Sequence, residues 1–462
     1  MSQNPQALVI LGNGFDLHLK LKSKFTDFLS EYYIDCDLKE ETEILISFAE
    51  TNDFDDVQEY HMNSDKIPIE IINKIDKVMK NYEISPSKKK KSFLFYLKIY
   101  KSAIEYCCKK VNSNLRYVYS LEESGVVIEQ QLIDLYRIMY NKLEELVKNI
   151  EARIQQFKNH RLNFWTIYFL WLRYKNNSNN KYYKLKDWND VEKQILLFFS
   201  DSNRNFNYSS FCKLLQANES SGDILLDSIF NFFKELINDK LSKNAITTAN
   251  LDNFLYDQLQ EFSKEFTNYL DNEYKKKFPD SDKAKLKIRS KFLNQDIAEN
   301  LTFDLLNFNY TTIKEANCIN QINIHGTCSQ NNTIIGFNIS DLAKNKYYGH
   351  AFKLSKQYQL ISSNHTNTYK LNLKNIEKIF IYGHSLSLSD YQYFKNIFDR
   401  THLSANSTVE LYYKFSNVNQ KESLSEKPYA SLFNLLRRYS EDTGKDIITT
   451  LILENRLHLI EI

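Results

Sequence analysis

Residues 7 to 12 begin with ALVIL, apolar at every position, and end in glycine, the pattern of a strand buried on both faces at the start of a doubly wound sheet. The following SKFTDFLSEYY changes period: Phe25, Phe28, Leu29 and Tyr32 recur on one helical face. From about Asp35 to Asn300 the strand-type alternation nearly vanishes. Long stretches such as QLIDLYRIMYNKLEELVKNIEARIQQF keep a helical period without proline, which predicts a mostly helical insertion. Strand-type runs return after residue 300 in LTFDLLNF, INQINIH, TIIGF, IEKIFIYG and STVELYYKF, with helical patterns at Ser389 to Phe398 and about Tyr429 to Tyr439. Strands alternating with helices specify an α/β fold with a parallel sheet. Because the first strand joins those of the last third, the sheet is discontinuous in sequence. The expected division is residues 1–34 (first strand and helix), 35–300 (helical insertion) and 301–462 (the remainder of the sheet domain).

Glycine sharpens this picture because the chain has so little of it: 9 glycines in 462 residues, against an average usage of ~7%. Glycine serves where the backbone needs positive φ or a close approach, so each one is informative. Gly12, Gly14, Gly326, Gly336 and Gly383 all fall in or just after a strand-type run. They suggest strands that deliver loops to one edge of the sheet.

Bulk properties exclude more than they assign. With 60 basic and 58 acidic residues the net charge is +2, so no global field recruits nucleic acid. Charge is segregated locally: Asp35 to Asp65 is acidic, while SPSKKKKSF and EYKKKFPDSDKAKLKIRSK are basic, read first as solvated segments and otherwise as a nucleic-acid surface. Cys36, Cys107, Cys108, Cys212, Cys318 and Cys328 form no CxxC, which argues against a zinc ribbon or a disulfide framework and for a reducing, cytoplasmic setting. The first residues carry no export-signal pattern. FWTIYFLWL, Phe164 to Leu172, falls short of the ~20 residues that cross a bilayer and reads as a buried helix. No membrane or metal partner is expected.

Four segments carry candidate chemistry: GNGFD (12 to 16), NFNYTT (307 to 312), IHG (324 to 326) and YGHSLSLSD (382 to 390). All four lie where strands end, and in open α/β sheets ligands bind outside the carboxyl ends of strands. Gly12-x-Gly14 suits a backbone that approaches a phosphate, or else a tight turn with Asp16 as a helix cap. The full dinucleotide fingerprint is absent, since Leu17 stands at the third glycine position. Asn309 can donate to a ribose hydroxyl or hold a water, and His325 can act as a general base near neutral pH. His384, Ser385 and Asp390 superficially suggest a hydrolase triad, but they sit in one local turn, with Ser389 or Asp390 expected to cap the next helix.

LVILGNGFDLHLKLKSKFTDFL, NFNYTT, INIHG, IIGFN and IYGHSLSLSDYQYF, in this order and with a long helical stretch after the first, resemble the AbiH family of bacterial abortive-infection proteins. WNDVE, Trp188 to Glu192, is similar to a further signature of that family, although the first expectation is that Trp188 is a helix anchor and Glu192 a surface carboxylate. The family in turn resembles sirtuin-like domains, in which a glycine-rich turn, an Asn-Tyr turn, a His-Gly pair and a Gly-x-Ser segment surround NAD. The resemblance implies a Rossmann-like, sirtuin-like sheet. It also implies that Gly12, Asn13, Gly14 and Phe15 meet the dinucleotide, with Tyr310 and Gly326 lining the same site and Gly383 and Ser385 touching the adenosine half. Asn309 would position the nicotinamide ribose or a water, and His325 would be the base; on chemical grounds, apart from the resemblance, Asp16 is the expected electrostatic partner of the developing cation. Asp16 replaces a serine of the pattern, Thr311 stands in place of an aspartate, and the absence of a cysteine zinc module speaks against protein deacylation.

The resulting expectation is an anti-phage effector that binds NAD or a related nucleotide, with no other cofactor, and hydrolyses its N-glycosidic bond. A nuclease or nucleotide-processing toxin using the same crevice, and a non-catalytic nucleotide-gated sensor, are the alternatives. A phage-derived trigger and a homo-oligomer are the expected partners, with nucleic acid reached through the lysine-rich segments.

Overall fold

The structure, a computed structural model, describes residues 5–32, 90–125, 130–156, 162–176, 188–200, 207–216, 224–240, 247–279, 301–311, 317–342, 345–362, 371–387, 390–405, 408–415 and 426–461. It divides into two compact units. One gathers Met1–Phe25, Lys186–Ser200 and Leu259–Ile462; the other gathers Thr26–Leu185 and Asp201–Gln258.

The first unit is built on six strands: β1 (Ala7–Leu11), β2 (Phe303–Asn307), β3 (Cys318–Asn323), β4 (Lys378–Tyr382), β5 (Glu410–Phe415) and β6 (Leu457–Glu461). All neighbouring pairs are parallel, in the order β3-β2-β1-β4-β5-β6. β1 lies inside the sheet with Ala7 to Leu11 paired residue for residue to Phe303 to Asn307 on one side and Lys378 to Tyr382 on the other. Its side chains alternate between two apolar layers. Leu8 and Ile10 join Leu306, Ile379, Ile381 and Leu411 on one face; Ala7, Val9 and Leu11 join Phe303, Leu305, Phe380 and Tyr382 on the other. That two-faced burial is why the strand reads as a continuous apolar run. The chain steps outward one way through β2 and β3 and the other way through β4, β5 and β6, so the direction reverses beside β1, where ligands of such sheets bind.

Two expectations change. TIIGF is not a strand: it makes one isolated bridge, Phe337 to Ser355, and the Ile335 carbonyl accepts from the Gln359 side chain instead of a ladder amide. A Cβ on Gly336 would lie 2.2 Å from the Leu354 carbonyl oxygen, so this segment is pressed against the loop before the helix Lys356–Ser362. β6 was not foreseen, because LHLIE interleaves His458 and Glu461 with its apolar residues.

The second unit is helical, with long helices at Lys90–Glu123 and Gln130–Gln156. At its core the helix Phe164–Asn176 buries every residue from Phe164 to Leu172. The Trp165 indole donates to the Leu255 carbonyl at 3.0 Å, and the Phe164 ring packs tilted against that of Phe233, 4.5 Å between centroids. FWTIYFLWL is thus a buried helix, and among the described residues no helix is long and apolar enough to cross a membrane.

Candidate functional site

The glycine turn after β1 is closed by its own chain. Gly12 N donates to the Tyr382 carbonyl at 2.9 Å, Gly14 N to the Gly383 carbonyl at 2.7 Å, and Phe15 N back to the Gly12 carbonyl at 2.9 Å. A Cβ on Gly12 would lie 2.3 Å from His384 Cα, and one on Gly14 2.7 Å from Gly383 Cα. Gly383, at φ +61°, turns the chain out of β4 so that these backbones can touch. Asn13 accepts from the Ser23 hydroxyl at 2.6 Å. The Phe15 ring meets the Tyr382 ring edge-on, 5.6 Å between centroids. Asp16 does not cap the short helix Asn13–His18, whose N-cap position is Gly12. It is buried inside that helix, where its two oxygens accept from the Thr311 hydroxyl at 2.9 and 3.2 Å. Burial pushes its pKa up to about 7, against the Thr311 hydrogen bond that lowers it.

Beside this turn, the loop leaving β2 is held from two sides. Asn307 and Asn323 are paired residues at the ends of β2 and β3. Asn307 Oδ1 accepts from Asn309 N at 3.0 Å, and its amide donates to the Thr311 carbonyl at 2.7 Å. The Asn323 amide reaches the carbonyls of Asn309 and Thr311 at 3.3 and 3.2 Å. With its backbone fixed in this way, Asn309 keeps both side-chain atoms buried and without a hydrogen-bond partner. An unpaired buried polar group costs ~1–3 kcal/mol, so such atoms call for a partner that comes from outside the chain.

His325 follows β3. Its Nε2 is likewise buried and unpartnered, and its ring lies 5.7 Å from Phe308 and 5.9 Å from Tyr310, the two residues that flank Asn309. Burial, helped by the positive charge of Lys356 and by His384, lowers its pKa well below the ordinary histidine value, which keeps the imidazole neutral. Gly326 adopts φ +74°, and a Cβ there would strike the Asn332 carbonyl at 1.9 Å. The His-Gly pair is therefore a tight turn that fixes the histidine.

A buried ionic cluster faces the same residues. Lys356 Nζ lies 2.8 Å from Glu192 Oε1 and 3.7 Å from Asp390 Oδ1, and Asp390 Oδ2 lies 3.5 Å from His384 Nε2. Burial opposes the Lys356 ammonium, but the two carboxylates outweigh it and raise its pKa above the usual lysine value. Burial pushes Glu192 up to about 7, with Lys356 pulling it back in part. His384 is lowered to about 4 by burial; since its Nδ1 accepts from Leu386 N at 2.9 Å, the neutral ring carries its proton on Nε2, toward Asp390. Tyr310 is raised by burial and by the charges of Glu192 and Asp390, which ties the cluster to the Asn309 loop. The Tyr393 hydroxyl is buried and unpartnered. Tyr393 also lines an open groove of about 340 Å³ with Leu306, Ile324, Gln357 and Arg400.

Several expectations are revised by this geometry. Asp390 occupies the N-cap position of the helix Tyr391–Arg400 but makes no capping hydrogen bond, because its carboxylate turns to Lys356 and His384. Ser389 lies outside the described residues. Ser385 is exposed while His384 and Asp390 are buried, so the three form no triad. Glu192 is not a surface carboxylate; it is 5% exposed. The Trp188 side chain lies outside the described residues. Lys356 was missed altogether, since SKQYQ has no motif, and only the fold places it beside IIGFN. That segment holds it in place, Lys356 N donating to the Phe337 carbonyl at 2.9 Å. Of the lysine-rich segments, 85–89 and 280–291 lie outside the described residues, while Lys275 and Lys276 pair with Asp271 and Glu273.

The fold and site together define an α/β protein with a cluster of buried polar side chains at the strand ends of a parallel sheet. The chain belongs to the bacteriophage abortive infection AbiH family, whose model matches residues 8–412. Membership supports a role in abortive infection of bacteriophage. Comparison with curated proteins and with solved structures gives no match.

Proposed function

We propose that the protein is an abortive-infection effector that binds NAD or a related nucleotide at the ends of β2 and β3 and hydrolyses its N-glycosidic bond. The observation that carries this reading is the unpartnered amide of Asn309, held beside a neutral, unpartnered His325. The strand order, reversing beside β1, supports a Rossmann-like and sirtuin-like relationship of the sheet.

Breaking the bond between ribose C1′ and the nicotinamide nitrogen sends the bonding electron pair to the departing nicotinamide and leaves cationic character on the ribosyl ring. A water oxygen then bonds to C1′ and gives up its proton. Asn309 orients the ribose or that water, and neutral His325, in the tautomer that leaves the Nε2 electron pair free, accepts the proton. Glu192 and Asp390, buried together around Lys356, place carboxyl groups in a dry interior, where electrostatic stabilisation of a developing cation is strongest, and Asp16, raised to about 7, adds negative charge once it is ionised. The groove beside Tyr393 falls at the small end of ligand pockets and offers apolar room for a planar ring. The Gly12 to Phe15 turn contributes shape: the amides of Gly12, Gly14 and Phe15 are already engaged with the chain.

The test is made in cells. Bacteria carrying the wild-type protein are infected with phage and followed for NAD content and plaque number, beside Asn309→Ala and His325→Ala at equal protein levels. The reading expects NAD loss and protection with the wild type and neither with the variants. Protection with NAD intact contradicts it.

A further inference from the structure

Two carboxylates from different parts of the sheet unit converge on one buried ammonium, and each retains unused hydrogen-bonding capacity. Glu192, on the helix Trp188–Phe198, offers Oε1 to Lys356 at 2.8 Å while its Oε2 is buried with no partner. Asp390 Oδ1 has the 3.7 Å approach of Lys356 and no hydrogen bond. The Tyr393 hydroxyl, whose pKa feels Lys356, Asp390 and Glu192, is buried and unpartnered too. Phe308, the neighbour of Asn309 in the chain, lies 4.4 Å from the His384 ring beside Asp390, 5.7 Å from the Tyr393 ring and 5.7 Å from the His325 ring, which joins the cluster to the Asn309 site. A native interior leaves few polar atoms unpaired, so a concentration of them describes the guest they await.

Their chemistry is selective. Once Glu192 is ionised, above about pH 7, its oxygens accept and do not donate, as those of any carboxylate do, whereas the Asn309 amide does both. A phosphate brings further negative charge and acceptors to a site already holding two carboxylates. A pair of hydroxyls brings the donors that these oxygens lack. Within a nucleotide, the adjacent hydroxyls of ribose are that pair.

Resting on the nucleotide reading above, we infer that Glu192 and Asp390 are specificity-determining residues that accept hydrogen bonds from the 2′ and 3′ hydroxyls of the ribose whose glycosidic bond breaks. Lys356 is their shared counter-ion, holding two like charges close together. The site therefore takes ribonucleotides and rejects their 2′-deoxy counterparts, and the WNDVE segment owes its glutamate to substrate recognition.

The experiment is equilibrium titration of the full chain with NAD and with the dinucleotide lacking the 2′ hydroxyl on its nicotinamide ribose, for the wild type and for Glu192→Gln. Losing one hydroxyl leaves a buried acceptor unpaired, so wild-type affinity is expected to fall about 10- to 100-fold. Glu192→Gln, an isostere that keeps a carbonyl oxygen but can also turn an amide donor toward the ligand, is expected to shrink that ratio to about threefold or less. Equal binding of both dinucleotides by the wild type overturns this inference and leaves the nucleotide reading standing. Failure to bind either overturns both. The wild-type ratio needs no variant, so the inference stays testable if Glu192→Gln does not fold.

Discussion

At the end of β1 the Gly12 to Phe15 turn engages its amides with the chain itself, closing onto Tyr382 and Gly383. At the ends of β2 and β3 the reverse holds: the backbone of Asn309 is fixed by Asn307 and Asn323, while the side chains of Asn309 and His325 keep buried atoms unpaired. The first region is complete without a ligand and the second is not. In a glycine-poor chain a Gly-x-Gly turn reports close approach, but what approaches can be another strand end. Unpaired buried polar atoms are the stronger pointer, because leaving them so is costly unless a guest or water satisfies them.

The most severe way to break the comparison is to add a methyl group to the closed turn. Gly14→Ala places a Cβ 2.7 Å from Gly383 Cα, backbone against backbone, and is expected to cost about 4 kcal/mol or more, read as a lost or strongly lowered unfolding transition. If the turn were an open phosphate cradle, stability would hold and only ligand affinity would fall.

Next in size is Lys356→Met, which leaves Glu192 and Asp390 as buried neighbours without a counter-ion. Breaking such a cluster costs ~3–5 kcal/mol, and adding Glu192→Gln to Lys356→Met is expected to restore part of it in denaturant titrations. Restoration is the part that separates charge from packing.

Asp16→Asn acts through pH. In the fold Asp16 keeps its proton up to about 7, while the unfolded chain loses it near 3.8, so between these values the unfolded state binds fewer protons and stability falls as pH rises. At ~1.4 kcal/mol per unit, this group removes about 3 kcal/mol between pH 5 and pH 8. Glu192, also raised to about 7, adds slope of the same sign, so the variant's curve is flatter than the wild type's without being level. Identical slopes would place Asp16 in a far wetter environment than its 2% exposure implies.

The smallest expected stability change belongs to Asn309→Ala. Its side chain makes no hydrogen bond, so removing it costs about 1 kcal/mol or less while function is lost. A large loss of stability would mean that the amide serves the fold.

The parallel sheet was legible because β1, β2 and β4 are buried on both faces and therefore read as apolar runs, and because glycines mark where β1 and β4 end. That Asn309 and His325 follow strands was legible too. TIIGF misled, since an apolar segment pressed against a loop has the composition of a strand without its ladder. Lys356 was invisible: a lysine in SKQYQ carries no periodic signal, and only the fold brings it to Glu192, 164 positions earlier in the chain. Asp390 was visible but misassigned, because an aspartate before a helix has the same local pattern whether it caps or faces a buried ammonium.

The most direct test of the account compares purified wild-type protein with Asn309→Ala for two properties, melting temperature and release of nicotinamide from NAD, with and without extract of phage-infected cells. The account predicts a melting temperature within a few degrees of wild type, about 4 °C or less for ~1 kcal/mol in a chain of this size, and release by the wild type alone. Release by both proteins, or by neither in either condition from folded and protective wild type, would contradict it.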